Sequence, residues 1–317
     1  MLLRITAPSA VLWLIVALES RHHQSFTLID LLFLLGPFVI VPLGLYLASL
    51  TGAENGIRAL LNVPLKIASW IQLPAAILIL VSFHDPPGIV ATFFVIPWFC
   101  FGAFLGLCGL LILARKPVSL PSLCLAASLI YLPVGCAWLI ASRYGLTPMN
   151  FQEPIVLLTA VHFHFAGFAA PLLALAAARH FAQAPRAATR AIFKIAAIGV
   201  ICGPGLLAVG FVAGPHVKLV AAFIVALSEV SLAAFFIAAL RAVVSRAAQL
   251  LLFVSAASVL FSMSFAVVWA VGEFPLQPFV HLAEMAKFHG VANALGFTLC
   301  GLLGWILALR PPTNAPR

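Results

Sequence analysis

Long apolar runs recur along this chain, separated by short breaks that hold nearly all of its charge. Of the 317 residues, 64% are apolar and only 8% are Asp, Glu, Lys or Arg, whereas an ordinary soluble domain is about 25% charged. So few charges cannot cover the surface of a water-soluble fold. The runs approach the ~20 residues that a helix needs to cross the hydrocarbon of a bilayer, and no polar stretch is long enough to fold as a separate aqueous unit. The expected fold is all-α: a polytopic transmembrane helix bundle forming one integral membrane domain over residues 1–317.

Cutting at the polar and Pro/Gly-rich breaks gives about ten spans: 5–18, 26–50, 67–83, 88–114, 118–141, 154–178, 191–213, 217–240, 248–271 and 282–309. The mixed segment Gly56 to Lys66 is placed at the membrane interface. Charge supports this division, because cytoplasmic loops hold an excess of Lys and Arg. The N-terminus and alternate connections carry Arg4; Arg58 and Lys66; Arg115 and Lys116; Arg179, Arg186, Arg190 and Lys194; Arg241 and Arg246; Arg310 and Arg317. The other side has Arg21, Arg143, Lys218 and Lys287. Both termini are therefore expected in the cytoplasm. The first 20 residues read as an uncleaved helix, since Leu18-Glu19-Ser20-Arg21 offers no small-residue cleavage site.

The net charge of +9 does not indicate nucleic acid as a partner. The 17 basic residues are scattered through short loops, without an aromatic-interleaved patch; the expected partner is the lipid bilayer. The six cysteines lie inside apolar runs without a C-x-x-C pair and read as small buried hydrophobes.

A charged side chain at the centre of a membrane helix costs about 2.5–3.5 kcal/mol on insertion scales, so it needs a partner, a cavity or a purpose. Asp30, His162, His164, Glu229, His289 and Asn293 stand inside expected spans. By the charge assignment, the four helices carrying them enter from the extracytoplasmic side. At a rise of about 1.5 Å per residue, Glu229 falls near the midplane, the histidines and Asn293 in the outer half, and Asp30 shallower still. Similar depths on separate helices suggest one polar site that opens outward.

Spacing refines this picture. His289, Asn293, Gly296, Cys300 and Gly304 share one helical face, as do Thr159, His162, Ala166 and Ala169. His162 and His164 are separated by a rotation of about 200° on a regular helix. They cannot chelate one ion from an undistorted helix, so one faces the site while the other bonds a neighbour, or the helix is locally unwound beside Pro171. Ser255, Ser258 and Ser262 form a further stripe leading to Trp269 and Glu273, best read as helix packing. Glu19, Asp85, Glu153, Glu273 and Glu284 read as loop or helix-end charges on the outer side.

The segment Leu158 to Phe168 reads LTAVHFHFAGF and Phe288 to Phe297 reads FHGVANALGF. Both resemble the YndJ-like family of bacterial integral membrane proteins, whose members carry similar H-F-H-[FY]-A-G-F and H-G-x-x-N-A-x-G-F segments. The match is most specific over residues 138–178 and 282–300. The resemblance implies a multi-pass protein of the bacterial cytoplasmic membrane and carries over His162, His164, Gly167, His289, Gly290 and Asn293 as motif positions, without assigning them chemistry. Some members bear a transporter label. Longer members have further sequence, so activity housed there is not expected of this chain.

Three functional classes follow. The first is a transporter-like protein in which Thr159, His162, His164, Glu229, His289, Asn293 and Asp30 bind a small molecule or ion or relay protons, assisted by Gly/Pro breaks at Gly36-Pro37, Pro133 and Gly203-Pro204-Gly205. The second is a His-ligated metal or haem protein, an oxidoreductase or hydrolase, with His162, His164 and His289 as candidate ligands and Glu229 as a carboxylate partner. Yet there is no H-E-x-x-H motif and no di-iron pair of E-x-x-H motifs, and P-loop, dinucleotide and G-x-S-x-G fingerprints are missing. The third is a structural or sensing protein in which the polar cluster fixes helix register. The non-enzymatic readings fit the sequence better.

Overall fold

The computed structural model describes residues 2–51, 55–115, 117–274 and 279–310, with the side chains of 2–5 and 55–60 left aside. Arg4, Arg58, Lys116 and Arg317, used above to assign topology, lie outside the described side chains. The described chain is built of helices: α1 (Leu2–His23), α2 (Leu28–Leu50), α3 (Asn55–Ser82), α4 (Ile89–Ala114), α5 (Leu120–Tyr144), α6 (Ile155–Phe181), α7 (Ala187–Ala213), α8 (Pro215–Ala239), α9 (Arg246–Val271) and α10 (Leu282–Leu309). Among the described residues, nine helices are long and apolar enough to cross a membrane: α2, α3 from Leu61, and α4 to α10. The expected span 5–18 lies inside the continuous helix α1, which is not among the nine. Gly56 to Lys66 is continuous with the span that follows it, because α3 runs from Asn55 to Ser82.

Large apolar side chains such as Phe93, Leu107, Ile195, Val209, Leu227 and Leu250 are exposed around the bundle. Contiguous exposure of this kind marks a lipid-facing surface. The converse holds for α2, whose Phe33, Leu34, Phe38 and Ile40 are fully covered. This buried helix contains a π-helical stretch from Gly36 to Ile40. In the wider register Pro42 would be the donor to the Pro37 carbonyl, but proline has no N–H. The side-chain amide of Gln72 on α3 supplies that hydrogen bond instead, as a bilayer requires of any freed backbone group. Pro133 and Pro204 lie inside helices that remain continuous.

Glycine stripes set how closely neighbouring helices approach. A Cβ on Gly106 of α4 would lie 2.7 Å from Pro133 Cγ, and one on Gly109 would lie 2.8 Å from the Ala126 carbonyl, both on α5. On α7, Gly199 is filled by Ser228 and a Cβ on Gly203 would lie 2.8 Å from Val225, so α8 seats directly on the α7 backbone. On α10, Gly296, Gly301 and Gly304 receive Ser258, Ser255 and Leu252 of α9. Without a hydrophobic drive between helices in lipid, such close backbone contact is a main source of association. The Ser255 hydroxyl donates to the Phe297 carbonyl at 2.7 Å, so this end of the serine stripe serves packing. Among the cysteines, Cys108, Cys124 and Cys136 are buried, while Cys100 and Cys202 are exposed rather than buried as expected.

Candidate functional site

A cavity of about 260 Å³ lies between α6, α7, α8, α9 and α10. Its lining is mostly apolar, with Thr159, His162, Lys218, Glu229, His289 and Asn293 as its principal polar side chains. Five of these were singled out from the sequence on three different spans. Two stretches of its wall are π-helical, Phe163–Ala169 in α6 and Met285–Gly290 in α10, followed on α10 by a third at Ala292–Cys300. Wider i→i+5 turns of this type are frequent at functional sites, and here they aim the two family motifs at one space.

The two histidines of the H-F-H segment have different surroundings. His164 is fully buried and does not line the cavity. Its Nδ1 lies 2.8 Å from the Ala160 carbonyl, and the Trp98 indole N–H of α4 donates to its Nε2 at 3.1 Å. A carbonyl can only accept, so Nδ1 carries the ring proton and the Nε2 lone pair belongs to Trp98. Trp98 also stacks on the imidazole, Phe33 meets it edge-on, and Gly36 and Gly135 make room for it. His164 is thus a tie between α4, α5 and α6 with no lone pair left for a ligand.

His162 faces the cavity instead. Its Nε2 is buried without a hydrogen-bond partner; the Pro204 carbonyl of α7 and the His289 ring are among its polar neighbours. The His289 Nδ1 lies 2.8 Å from the Ser262 carbonyl of α9, which places the proton on Nδ1 and leaves the Nε2 lone pair unused by that bond. Glu229 is 3% exposed and its Oε2 also lacks a partner. The Thr159 hydroxyl donates to Ile155 at 2.8 Å, keeping its acceptor lone pairs available.

Asp30 does not join this group. Its carboxylate accepts from the Thr27 backbone N–H at 2.8 Å and the Thr27 hydroxyl at 2.7 Å, while Thr27 accepts from the Asp30 N–H. This reciprocal capping box satisfies the start of α2. Among the outer acidic residues, Glu153 accepts from the Leu157 N–H near the start of α6 and Glu284 from the His281 N–H at the start of α10.

The polar and aromatic cluster around Lys218 was not assembled from the sequence. Lys218 at the start of α8 pairs with Glu273 just beyond α9, and its ammonium sits 4.4 Å from the Phe211 ring centroid and 5.0 Å from that of Trp269. The available signals were Lys218 as one of four cations on the sparse side and Trp269 and Glu273 at the end of the serine stripe. Arg143 was read only as a loop cation; it is buried and donates to the Ser82 and Asp85 carbonyls.

Three His, Cys, Asp or Glu side chains close enough to hold a metal ion do not occur among the described residues. With both nitrogens of His164 engaged, the candidate ligands narrow to His162 and His289.

The model of the YndJ-like protein family matches residues 31–297, which include every residue lining the cavity, from Leu32 to Ala294. This chain belongs to the YndJ-like family. It is also 29% identical, over 193 residues, to the uncharacterized membrane protein YndJ of Bacillus subtilis (strain 168), an alignment covering 59% of this chain and 33% of that protein. The chain therefore spans about a third of the length of that relative. No solved structure matches it. In this YndJ-like chain the H-F-H segment contributes His162 and Phe163 to the cavity lining and His164 to packing, and the H-G-V-A-N segment contributes His289, Gly290 and Asn293 to the lining.

Proposed function

We propose that this YndJ-like membrane protein is transporter-like and admits a small, largely apolar molecule bearing one polar or ionisable group into the cavity between α6 and α10. One observation carries the reading: two buried, titratable side-chain atoms, His162 Nε2 and Glu229 Oε2, line the same cavity without a protein partner. Leaving such groups unsatisfied costs several kcal/mol for a charge and about 1–3 kcal/mol for a neutral polar atom. What enters the cavity, whether water, a proton or the substrate, makes up those interactions, so occupancy and protonation are coupled. The Lys/Arg distribution supports an extracytoplasmic mouth at Lys218 and Glu273 in the bacterial cytoplasmic membrane, with both termini on the opposite side.

The test is solid-supported-membrane electrophysiology on proteoliposomes under an imposed pH gradient, challenged in turn with panels of small monoamines, monocarboxylic acids and neutral amino acids. One panel is expected to give a transient current that Glu229→Gln and His162→Gln abolish and Asp30→Asn retains. Absence of current with every panel, or full current in Glu229→Gln, overturns the proposal. A metal or haem centre has no comparable support, since the geometry offers two separate imidazoles rather than a ligand set.

A further inference from the structure

At the end of the bundle away from the cavity mouth, a groove of about 940 Å³ lies among the end of α2, the start of α5, the end of α6 and the start of α7. Its lining gathers Arg179, Arg190 and Lys194 with the Ser119 cap of α5. Arg179 donates to the Leu50 carbonyl at 3.0 Å, and Arg190 donates to the Ala184 and Pro185 carbonyls at 2.6 and 3.0 Å. These bonds orient the guanidinium groups but go to neutral acceptors, leaving both charges uncompensated. Lys194 has no hydrogen-bond or ion-pair partner among the described residues, and none of the described residues lining the groove is Asp or Glu.

Two further features specify the counter-charge. Helices α5 and α7 both begin here without an acidic residue in their first turns, so the positive ends of their dipoles add to the three cations. Along α7, Arg190, Lys194 and Ile198 follow at spacings of four and line the groove together, one helical face that passes from charged to apolar. Leu123 of α5 continues the apolar wall. A headgroup phosphate at the charged end with an acyl chain over the apolar end matches this order. A free anion would use only half of it.

We propose that this groove is a binding site for an anionic phospholipid, held through its phosphate by Arg179, Arg190 and Lys194 and through an acyl chain by Ile198 and Leu123. The site is separate from the cavity and does not depend on the transport reading. Basic pockets between membrane helices are suited to such headgroups, each nearby cation contributing about 1 kcal/mol, or roughly fivefold in affinity.

The experiment is native mass spectrometry and thermal unfolding of the purified full chain titrated with phosphatidylglycerol, with phosphatidylcholine and with inorganic phosphate. Phosphatidylglycerol is expected to be retained and to raise Tm, more than either of the others. Lys194→Gln, at an exposed and unpartnered position, is expected to weaken phosphatidylglycerol binding roughly fivefold, and Arg179→Gln with Arg190→Gln and Lys194→Gln to remove the preference. Lys287→Gln, the same loss of charge at the start of α10, leaves binding within about twofold. Equal effects of the two lipids, an equal effect of phosphate alone, or unchanged affinity in Lys194→Gln overturns the proposal; the single variant decides the matter even if the triple variant does not fold.

Discussion

His162 and His164 share a helix, a motif and a residue type, yet one belongs to a cavity wall and the other to a packed core. On the core side of α6 the hydrogen bonds of His164 are matched: the Ala160 carbonyl accepts from its Nδ1–H and the Trp98 indole N–H donates to its Nε2. The cavity side keeps His162 Nε2 and Glu229 Oε2 without partners. The difference teaches that insertion cost alone does not identify a functional residue in a membrane helix. A buried polar group that has used all its hydrogen-bonding capacity holds structure, and one with capacity left over is available to a ligand.

The comparison is broken most directly by removing each imidazole. His164→Ala opens a cavity and leaves the buried Trp98 N–H unpaired, for an expected loss of about 3 kcal/mol or more in SDS-titrated unfolding. His162→Ala breaks no hydrogen bond of Nε2 and is expected to cost about 1 kcal/mol. Equal losses would erase the distinction. Gly135→Ala sharpens it, since the added Cβ would lie 2.7 Å from His164 Nδ1 and 3.0 Å from Cε1. The expected cost is about 1–3 kcal/mol, and most of it should vanish on the His164→Ala background, where only the 3.1 Å contact with the Phe163 Cβ remains. The smallest effect concerns the Lys218–Glu273 pair. A double-mutant cycle on Lys218→Gln and Glu273→Gln is expected to give a coupling of about 1 kcal/mol, weakened by added salt, because the side chains stay 13% and 23% exposed.

Much of this fold was legible before any coordinates. The scarcity of charge fixed the all-α membrane class, and nine helices lie where apolar runs were expected, with ends displaced by a few residues. The first expected span, 5–18, lies inside the helix α1, which the nine spans found among the described residues do not include. Of the polar residues in the expected spans, Thr159, His162, Glu229, His289 and Asn293 line one cavity, while Asp30 caps α2 and His164 packs against Trp98. Asp30 carried a readable signal, since Thr27 three residues before it is the pattern of a capping box. The rotation between His162 and His164 showed that one of them could bond a neighbour but not which, because the partner of His164 stands 66 residues away on another helix.

The amino-acid sequence by itself determined that this protein lives in a bilayer, roughly where its helices run, and which few polar residues must be accommodated inside them. Those properties depend on composition and on local periodicity, which a single chain segment carries. Only the tertiary structure decided which of those residues remain unsatisfied. That property belongs to neighbours contributed by distant helices, to glycine stripes that set their separation, and to π-helical turns that rotate side chains away from the positions an ideal helix would give them.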